Sequence, residues 1–338
     1  MAARGRALSD EVESVRVRRD AELAGLPNLP ADDAPAEDEV LREVGEAGAT
    51  GKDHLELAGG MIDMEHGARV SGSRFAYLRG DLVLLEFALV RFALERTMEQ
   101  GHEPVIPPVL VRERALYGTG FLPDTEQQIY RLADDDLYLV GTSEVPLASL
   151  HSDEILAGDA LPLRYVGFST CFRREAGAAG KDTRGIFRVH QFDKVEMFCF
   201  VAPEDSAAEH ERLLAIEESI LQELLLPYRV VAISVGDLGA SAAKKYDCEA
   251  WLPGQGRYRE LTSCSNTTDF QARRLDIRYR DPAGRPAVVH TLNGTVVAVG
   301  RTIIALLENG QRDDGSVALP PVLTRFGAPE VLAPASDR

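Results

Sequence analysis

The spacing of apolar and polar residues along the chain predicts several helices. Segment 81–100 is apolar along one face and ends before Gly101, which is typical of a helix that packs on a core. Apolar residues recur every three or four positions over 206–226 and 300–311, so two further helices are expected there. A narrower apolar stripe, densely interrupted by charges, predicts a short helix over 8–26.

Strands are predicted where β-branched and aromatic residues alternate with polar ones. A helix followed by a short strand at 75–78 is expected within 52–80. The other segments of strand character are 102–111, 135–147, 164–175, 189–201, 228–235, 247–253, 258–266 and 285–294. Because no regular strand–helix–strand alternation connects them, we expect an α+β fold, a mostly antiparallel sheet flanked by helices.

Prolines and acidic residues over 27–39 mark a linker. We therefore predict a helical segment at 1–26, the linker at 27–39, one large domain at 40–330 and a tail at 331–338. With 338 residues, of which 45% are hydrophobic, the chain can bury a core of that size.

The overall charge limits the partners that the sequence allows. A formal net charge of −17 argues against broad binding of nucleic acids, and we expect no DNA partner. No run approaches the roughly 18 apolar residues of a membrane span, and no apolar leader opens the chain, so we expect a cytoplasmic protein without membrane contacts. The four scattered cysteines predict buried thiols rather than disulfides or a zinc site.

Candidate chemistry concentrates in residues 171–196. Apolar residues flank a glycine-rich centre, which predicts a strand, a loop and a second strand. Arginines on paired strands can form a fork for phosphate oxygens, an aromatic ring offers a face to a nucleobase, and a carboxylate can take an ammonium group. The residues of these types are Arg173, Glu175, Arg184, Arg188, Phe192 and Glu196. The segment predicts a site for a nucleotide and an amino acid, although a cross-strand ladder of salt bridges would use the same residue types.

This segment resembles the second signature motif of class II aminoacyl-tRNA synthetases and, among them, the bacterial-type seryl-tRNA synthetases. Segments 141–156, 234–266, 270–280 and 290–309 resemble the same family in the same order. The resemblance covers roughly residues 27–327 and implies a class II catalytic domain. It also favours a nucleotide site over a salt-bridge ladder.

The resemblance implies roles in binding ATP and Mg²⁺. Arg173 is expected to hold the α-phosphate, and Phe192 and Arg301 to stack on opposite faces of adenine. Glu260 and Ser263 are expected to hold Mg²⁺ through oxygen atoms. The catalytic set implied is Arg173, Glu260 and Arg301. The ATP-binding set implied is Arg173, Arg174, Glu175, Arg188, Val189, Phe192, Glu260, Leu261, Thr262, Ser263 and Arg301.

The resemblance also implies a serine site. Glu144 and Glu196 are expected to surround the α-ammonium group, because a desolvated positive charge needs negative partners. Thr295 is expected to bond the serine hydroxyl. The set implied is Thr142, Ser143, Glu144, Arg173, Glu196, Asn293 and Thr295. The loop 176–185, with Lys181 and Arg184, resembles one that becomes ordered when ATP binds.

The implied reaction is the attack of the serine carboxylate on the α-phosphorus of ATP, which needs alignment and charge neutralisation rather than a general base. The seryl group would then pass to tRNA(Ser), with tRNA(Sec) as a second candidate acceptor. Segment 81–111 resembles the first class II motif and implies a homodimer, whereas its pattern alone also fits a buried helix of a monomer.

Members of this family carry two long helices before the catalytic domain, which grip the tRNA, and here residues 1–26 match only the end of the second. An arm-less seryl-adenylate former that serves a carrier protein or a small-molecule acceptor is therefore the alternative. In either case we expect adenylate formation to be retained and tRNA(Ser) charging to be weakened. A regulatory paralogue is disfavoured, because Arg173, Glu175, Glu196, Glu260 and Arg301 are all present.

Overall fold

The computed structural model describes residues 2–123, 129–176, 182 and 184–335. An eight-stranded sheet lies at its centre. In chain order its strands are β1 (Glu39–Val44), β2 (Glu103–Val105), β3 (Leu163–Phe172), β4 (Gln191–Val201), β5 (Tyr228–Ala232), β6 (Lys244–Leu252), β7 (Arg257–Thr268) and β8 (His290–Ala298). Across the sheet the order is β1-β5-β6-β7-β8-β4-β3-β2, and only the β2–β3 pair is parallel. The predicted α+β architecture is confirmed.

Helices surround this sheet. They are α1 (Ala2–Ala24), α2 (His54–Ala58), α3 (Met64–Ser71), α4 (Asp81–Glu99), α5 (Glu113–Thr119), α6 (Glu144–Ala148), α7 (Ser206–Glu223), α8 (Phe270–Leu275), α9 (Val299–Asn309) and α10 (Pro321–Thr324). The three long predicted helices α4, α7 and α9 are confirmed, and their apolar faces share one core with the sheet. Leu85 of α4 and Ile303 of α9 are completely buried in it.

Short strands form four smaller sheets. They pair Ile62–Asp63 with Tyr77–Leu78, Leu137–Leu139 with Leu110–Arg112 and Arg131–Leu132, Arg278–Arg280 with Ile155–Leu156 and Pro286–Val288, and Val317–Ala318 with Val331–Leu332. Single 3-10 turns span Gly59–Met61, Ser149–His151, Gly158–Ala160, Pro203–Asp205 and Val235–Asp237. The predicted tail thus begins with a strand, and residues 336–338 lie outside the described part.

Several predicted elements are wrong in part. The strand predicted at 135–147 ends at Leu139, and Glu144–Ala148 forms α6 instead. The strand predicted at 102–111 is interrupted, because Pro107 and Pro108 have no backbone N–H to donate to a neighbouring strand. The segment 285–294 divides between a small sheet and β8.

Two regions near the amino-terminal end also depart from prediction. The helix expected within 52–80 is divided into α2 and α3, because Gly59 takes a φ of 55° and ends the first. Strand β1, which the sequence analysis missed, begins at Glu39 within the predicted linker and pairs with β5. The linker is held to the body by Asn28, whose Nδ2 donates to the carbonyls of Ser241 and Thr267 at 2.9 Å each.

The remaining sequence-level expectations concern cysteines and membrane spans. All four cysteines are buried free thiols, as predicted. Within the described ranges, none of the helices has the length and apolar character needed to cross a membrane.

Candidate active site

A cavity of about 190 Å³ opens above β4 and β7. The predicted residues that line it are Arg173, Glu175, Arg188, Val189, Phe192, Glu260, Leu261, Ser263, Thr295 and Arg301. Residues that the sequence analysis did not select also line it: Ile186, Phe187, Lys194, Ala298 and Gly300. Sequence segments more than 100 residues apart are therefore brought together here.

Arg173 stands at the end of β3 with its guanidinium Cζ 5.2 Å from the centre of the Phe192 ring. Its Nε donates to the carbonyl of Gly141 at 3.3 Å. The backbone is fixed from both sides, since the Arg173 amide donates to the His190 carbonyl at 2.9 Å and His190 Nδ1 lies 2.8 Å from the Arg173 carbonyl. These contacts hold one guanidinium over an aromatic face and leave its terminal nitrogens to face the cavity.

Two arginine–glutamate pairs lie at the side of the cavity. Arg188 Nη1 lies 2.7 Å from Glu175 Oε2, and the Glu175 side chain is only 6% exposed. Arg301 Nη1 donates to the Glu260 carbonyl at 2.9 Å and lies 3.4 Å from Glu260 Oε2. Ion pairs of this kind are also expected in a salt-bridge ladder. Here, however, they border a cavity rather than a solvated face of the sheet.

Phe187 is held between two guanidinium groups. The Cζ of Arg259 lies 3.8 Å from its ring centre and that of Arg301 lies 4.6 Å away. Arg301 was expected to face Phe192 across an adenine ring, and the structure places it over Phe187. Neither Phe187 nor Arg259 was selected from the sequence, although both stand next to selected residues.

Asp182 provides an anionic group beside these arginines. Its two oxygens lie 2.9 and 2.7 Å from Arg259 Nη1 and Nη2, and Arg188 Nε is 4.0 Å away. The hydrogen bonds from Arg259 lower the pKa of Asp182. Of the predicted loop 176–185, residues 177–181 and 183, including Lys181, lie outside the described part. Arg184 pairs with Asp53 at 2.9 Å.

Lys194, which lines the cavity, forms a buried ion pair with Glu196, which does not line it. Glu196 Oε2 lies 2.5 Å from Lys194 Nζ and accepts a hydrogen bond from Thr295 Oγ1 at 3.2 Å. Burial raises the pKa of Glu196, and the Lys194 charge opposes that rise. Lys194 was missed, although its position two residues before Glu196 places both on one face of β4.

Glu144 begins α6 and approaches this pair. Its Oε1 accepts a hydrogen bond from Gln271 Nε2 at 2.7 Å. Burial and the Glu196 charge raise the pKa of Glu144 to about 7. Its neighbours are turned to other partners, since Ser143 Oγ lies 2.8 Å from Ser169 Oγ, and Thr142 Oγ1 accepts from the Glu144 amide at 3.3 Å.

Some predicted residues lie apart from the cavity. The Thr262 hydroxyl donates to Glu217 Oε2 at 2.8 Å, and both side chains are buried. The predicted ATP- and serine-binding residues that are described and do not line the cavity are Thr142, Ser143, Glu144, Arg174, Glu196, Thr262 and Asn293.

The residues expected to hold Mg²⁺ fit such an ion in their chemistry. Glu260 and Ser263 both line the cavity with oxygen donors, and the Glu260 side chain is 43% exposed. Partial burial raises the pKa of Glu260, but the charges of Arg301, Lys245 and Arg173 outweigh it and lower the pKa overall. The carboxylate is therefore ionised near neutral pH, as a hard cation requires.

The raised pKa of Glu144 predicts a pH dependence. Only the ionised carboxylate attracts an ammonium group, so an amine substrate should bind worse as Glu144 becomes protonated below pH 7. We expect kcat/KM for the amino acid to approach a tenfold fall per pH unit below about pH 7. Glu144→Gln should lower kcat/KM at neutral pH and remove this slope. An unchanged slope in that variant would assign the titration to another group.

Comparison with known proteins identifies the architecture. A family model described as the tRNA synthetase class II core domain (G, H, P, S and T) matches residues 128–310. The fold is therefore that of a class II aminoacyl-tRNA synthetase.

Individual proteins similar to this chain identify the family within that class. The serine–tRNA ligase of Thermobifida fusca is 54% identical over 99% of this chain and 80% of its own length. The crystal structure of seryl-tRNA synthetase from Pyrococcus horikoshii complexed with ATP superposes with a TM-score of 0.93 at 46% identity, covering 97% of this chain and 80% of that one. The crystal structure of the cytoplasmic serine–tRNA ligase of Naegleria fowleri in complex with AMP superposes with a TM-score of 0.88 at 34% identity, covering 96% of this chain and 80% of that one. The chain belongs to the seryl-tRNA synthetase family.

Proposed function

We propose that this chain is a serine–tRNA ligase, which joins L-serine to ATP as seryl-adenylate and then transfers the seryl group to tRNA(Ser). The observation that supports this most directly is one cavity lined by arginines and an aromatic ring, whose wall residues Lys194 and Thr295 also contact the buried carboxylate of Glu196. ATP suits the arginines and the ring, and the α-ammonium group of an amino acid suits the buried carboxylate.

The nucleotide end is assigned by charge and aromatic faces. Phe192 offers a face to adenine, and Arg173 lies between the two ends, where the α-phosphate and the serine carboxylate must meet. Arg188 and Arg259 bind the outer phosphates of ATP. These phosphates compete with the Asp182 carboxylate for the same guanidinium groups. Mg²⁺ held by Glu260 and Ser263 would neutralise charge on the phosphates.

The serine end is assigned by the buried carboxylates. Glu196 receives the α-ammonium group with help from Glu144, which Gln271 orients. Thr295 already bonds Glu196 at 3.2 Å, and its hydroxyl can bond the hydroxyl of serine as well. A site of this type rejects alanine, because alanine would leave a buried polar group without its partner.

The acceptor is tested by following labelled serine in the presence of ATP, tRNA(Ser) and acyl carrier protein. We expect the label on tRNA(Ser). A carrier-protein acceptor, the alternative left open by the sequence, finds no support among the relatives compared. Label on the carrier and none on tRNA at any tRNA concentration would overturn the assignment.

The affinity for tRNA is a separate expectation. We expect charging to need a high tRNA concentration, because a protein of net charge −17 offers few phosphate contacts. The same charge argues against a DNA partner, and a cytoplasmic location without membrane contacts stays an expectation. The division into segments 1–26, 27–39, 40–330 and 331–338 stays a prediction.

We also propose a homodimer built on α4. Leu84 and Phe87 lie one turn apart on this helix and are 50% and 65% exposed, and Ile106, just after β2, is 85% exposed. Strand β2 contacts α4, so these apolar side chains belong to neighbouring elements. Exposed apolar groups of this size commonly mark an interface between proteins.

The dimer can be tested by placing a charge on this surface. Phe87→Glu is expected to raise the dimer dissociation constant by on the order of 10²-fold, since a carboxylate would be buried without a partner. Sedimentation velocity at several protein concentrations measures this. Leu29→Glu, at an exposed residue of the linker, serves as the control. Equal dissociation constants for the two variants and the unmodified chain would exclude α4 as the interface.

A further inference from the structure

A buried histidine outside the cavity touches the segment that forms the cavity wall. His54, the first residue of α2, is 5% exposed and does not line the cavity. Its Nδ1 lies 3.1 Å from Glu308 Oε1, and its Nε2 accepts a hydrogen bond from the backbone amide of Ile186 at 3.3 Å. Both ring nitrogens are therefore used, one on α9 and one on the segment before β4.

Glu308 determines which nitrogen carries the proton. This carboxylate is 1% exposed and accepts backbone N–H groups from His54 at 3.2 Å and from Gly254 at 2.9 Å. Because its oxygens act as acceptors, the contact with the ring places the proton on Nδ1. The opposite nitrogen, Nε2, then has a free lone pair for the amide of Ile186.

The backbone at Gly185 is fitted against the same ring. Gly185 has a φ of 76°, and a Cβ atom added there would lie 2.0 Å from His54 Nε2. The chain therefore passes directly over the imidazole edge. After Ile186 the chain continues with Phe187, which lies between Arg259 and Arg301, and with Arg188, which bonds Glu175.

We propose that His54 and Glu308 are a positioning pair that holds residues 185–188 in the arrangement that binds ATP. This inference rests on the proposed function for the identity of the nucleotide. The pair acts only through the nucleotide end of the cavity, because the carboxylates at the serine end lie on α6 and β4. Disruption of this pair should therefore raise the KM of ATP and leave the KM of serine almost unchanged.

Two substitutions separate the two halves of the contact. His54→Gln can place an amide oxygen near the position of Nε2, which keeps an acceptor for Ile186 and loses the donor to Glu308. His54→Asn can place an amide N–H near Nδ1, which keeps the bond to Glu308 and loses the acceptor. His54→Ala removes both. If the acceptor is what matters, the glutamine variant should resemble the unmodified chain and the asparagine variant should resemble alanine.

The first measurement is the KM of ATP and of serine in pyrophosphate exchange. We expect His54→Ala and His54→Asn to raise the KM of ATP about five- to tenfold, as the loss of one buried hydrogen bond allows, with less than a twofold change in the KM of serine. Glu308→Gln should also raise the KM of ATP. His210→Gln is the matched control, because that buried histidine bonds the Cys264 carbonyl and neither residue lines the cavity.

The second measurement is equilibrium binding of ATP by calorimetry, together with thermal melting. It keeps this inference distinct from the proposed function: a protein that binds ATP but fails to exchange pyrophosphate with serine would overturn the function and still reveal the effect of His54. Unchanged ATP binding in folded His54→Ala would overturn the positioning role. So would equal increases in the KM of ATP and of serine, or a glutamine variant as impaired as alanine.

Discussion

Replacing Arg173 with alanine is expected to lower serine-dependent ATP–pyrophosphate exchange about 10²–10³-fold, the usual effect of removing one preorganised charge contact at a reacting centre. The Arg173 guanidinium lies over the Phe192 ring, and its charge also acts on the buried carboxylates of Glu144 and Glu196. The Arg173 backbone is held by His190, so the loss of the side chain should leave the hairpin in place.

Thermal melting distinguishes this result from a structural effect. Among the described residues, the Arg173 guanidinium donates one hydrogen bond, to the Gly141 carbonyl at 3.3 Å, and makes no ion pair within 4 Å, so the melting temperature should change little. Arg278→Ala is the control, since Arg278 is exposed and does not line the cavity. A large fall in melting temperature with most of the exchange activity left would mean that Arg173 stabilises the sheet instead.

Glu196→Gln is expected to raise the KM of serine at least about 30-fold, because truncating one member of a buried charge pair costs roughly 2–5 kcal/mol. The glutamine would keep the volume and lose the charge that attracts the ammonium group. The KM of ATP should change much less, since the phosphate and adenine contacts lie at the other end of the cavity.

A double variant separates binding from stability in this experiment. Glu196→Gln leaves Lys194 as a buried cation without its carboxylate, which should destabilise the protein. Lys194→Met with Glu196→Gln removes both charges, so we expect the melting temperature to recover and the KM of serine to stay high. A double variant with normal serine affinity would show that Glu196 only balances the charge of Lys194.

The sequence predicts the long elements well because their apolar periods are regular. Helices α4, α7 and α9 and strands β3 and β4 carry their pattern without interruption. Errors occur where a local feature outweighs the pattern. The strand character of 135–147 stops at Gly141, after which Glu144 enters a helix, and β1 is too polar to be recognised because it lies at the exposed edge of the sheet.

The site was predictable as far as motif residues face one side of a strand. Glu260 and Ser263 are three residues apart, which would place them on opposite faces of a regular strand. The pairing of β7 with β6 shifts register between Glu260 and Thr262, so both reach the cavity while Thr262 bonds Glu217. Gln271 and Asp182 were missed for another reason, because their partners Glu144 and Arg259 lie far away in sequence. Lys194 was predictable from the sequence, since its partner Glu196 follows two residues later.

The most direct test of the proposed function is amino acid-dependent exchange of pyrophosphate into ATP, measured with serine, alanine and threonine in the presence of Mg²⁺. We expect rapid exchange with serine, a rate lower by about 10⁴-fold with alanine, which lacks the hydroxyl that the site must bond, and slow exchange with threonine, whose extra methyl group must be excluded by contact. Folded protein that shows no exchange with serine, or that uses alanine equally well, would contradict the account.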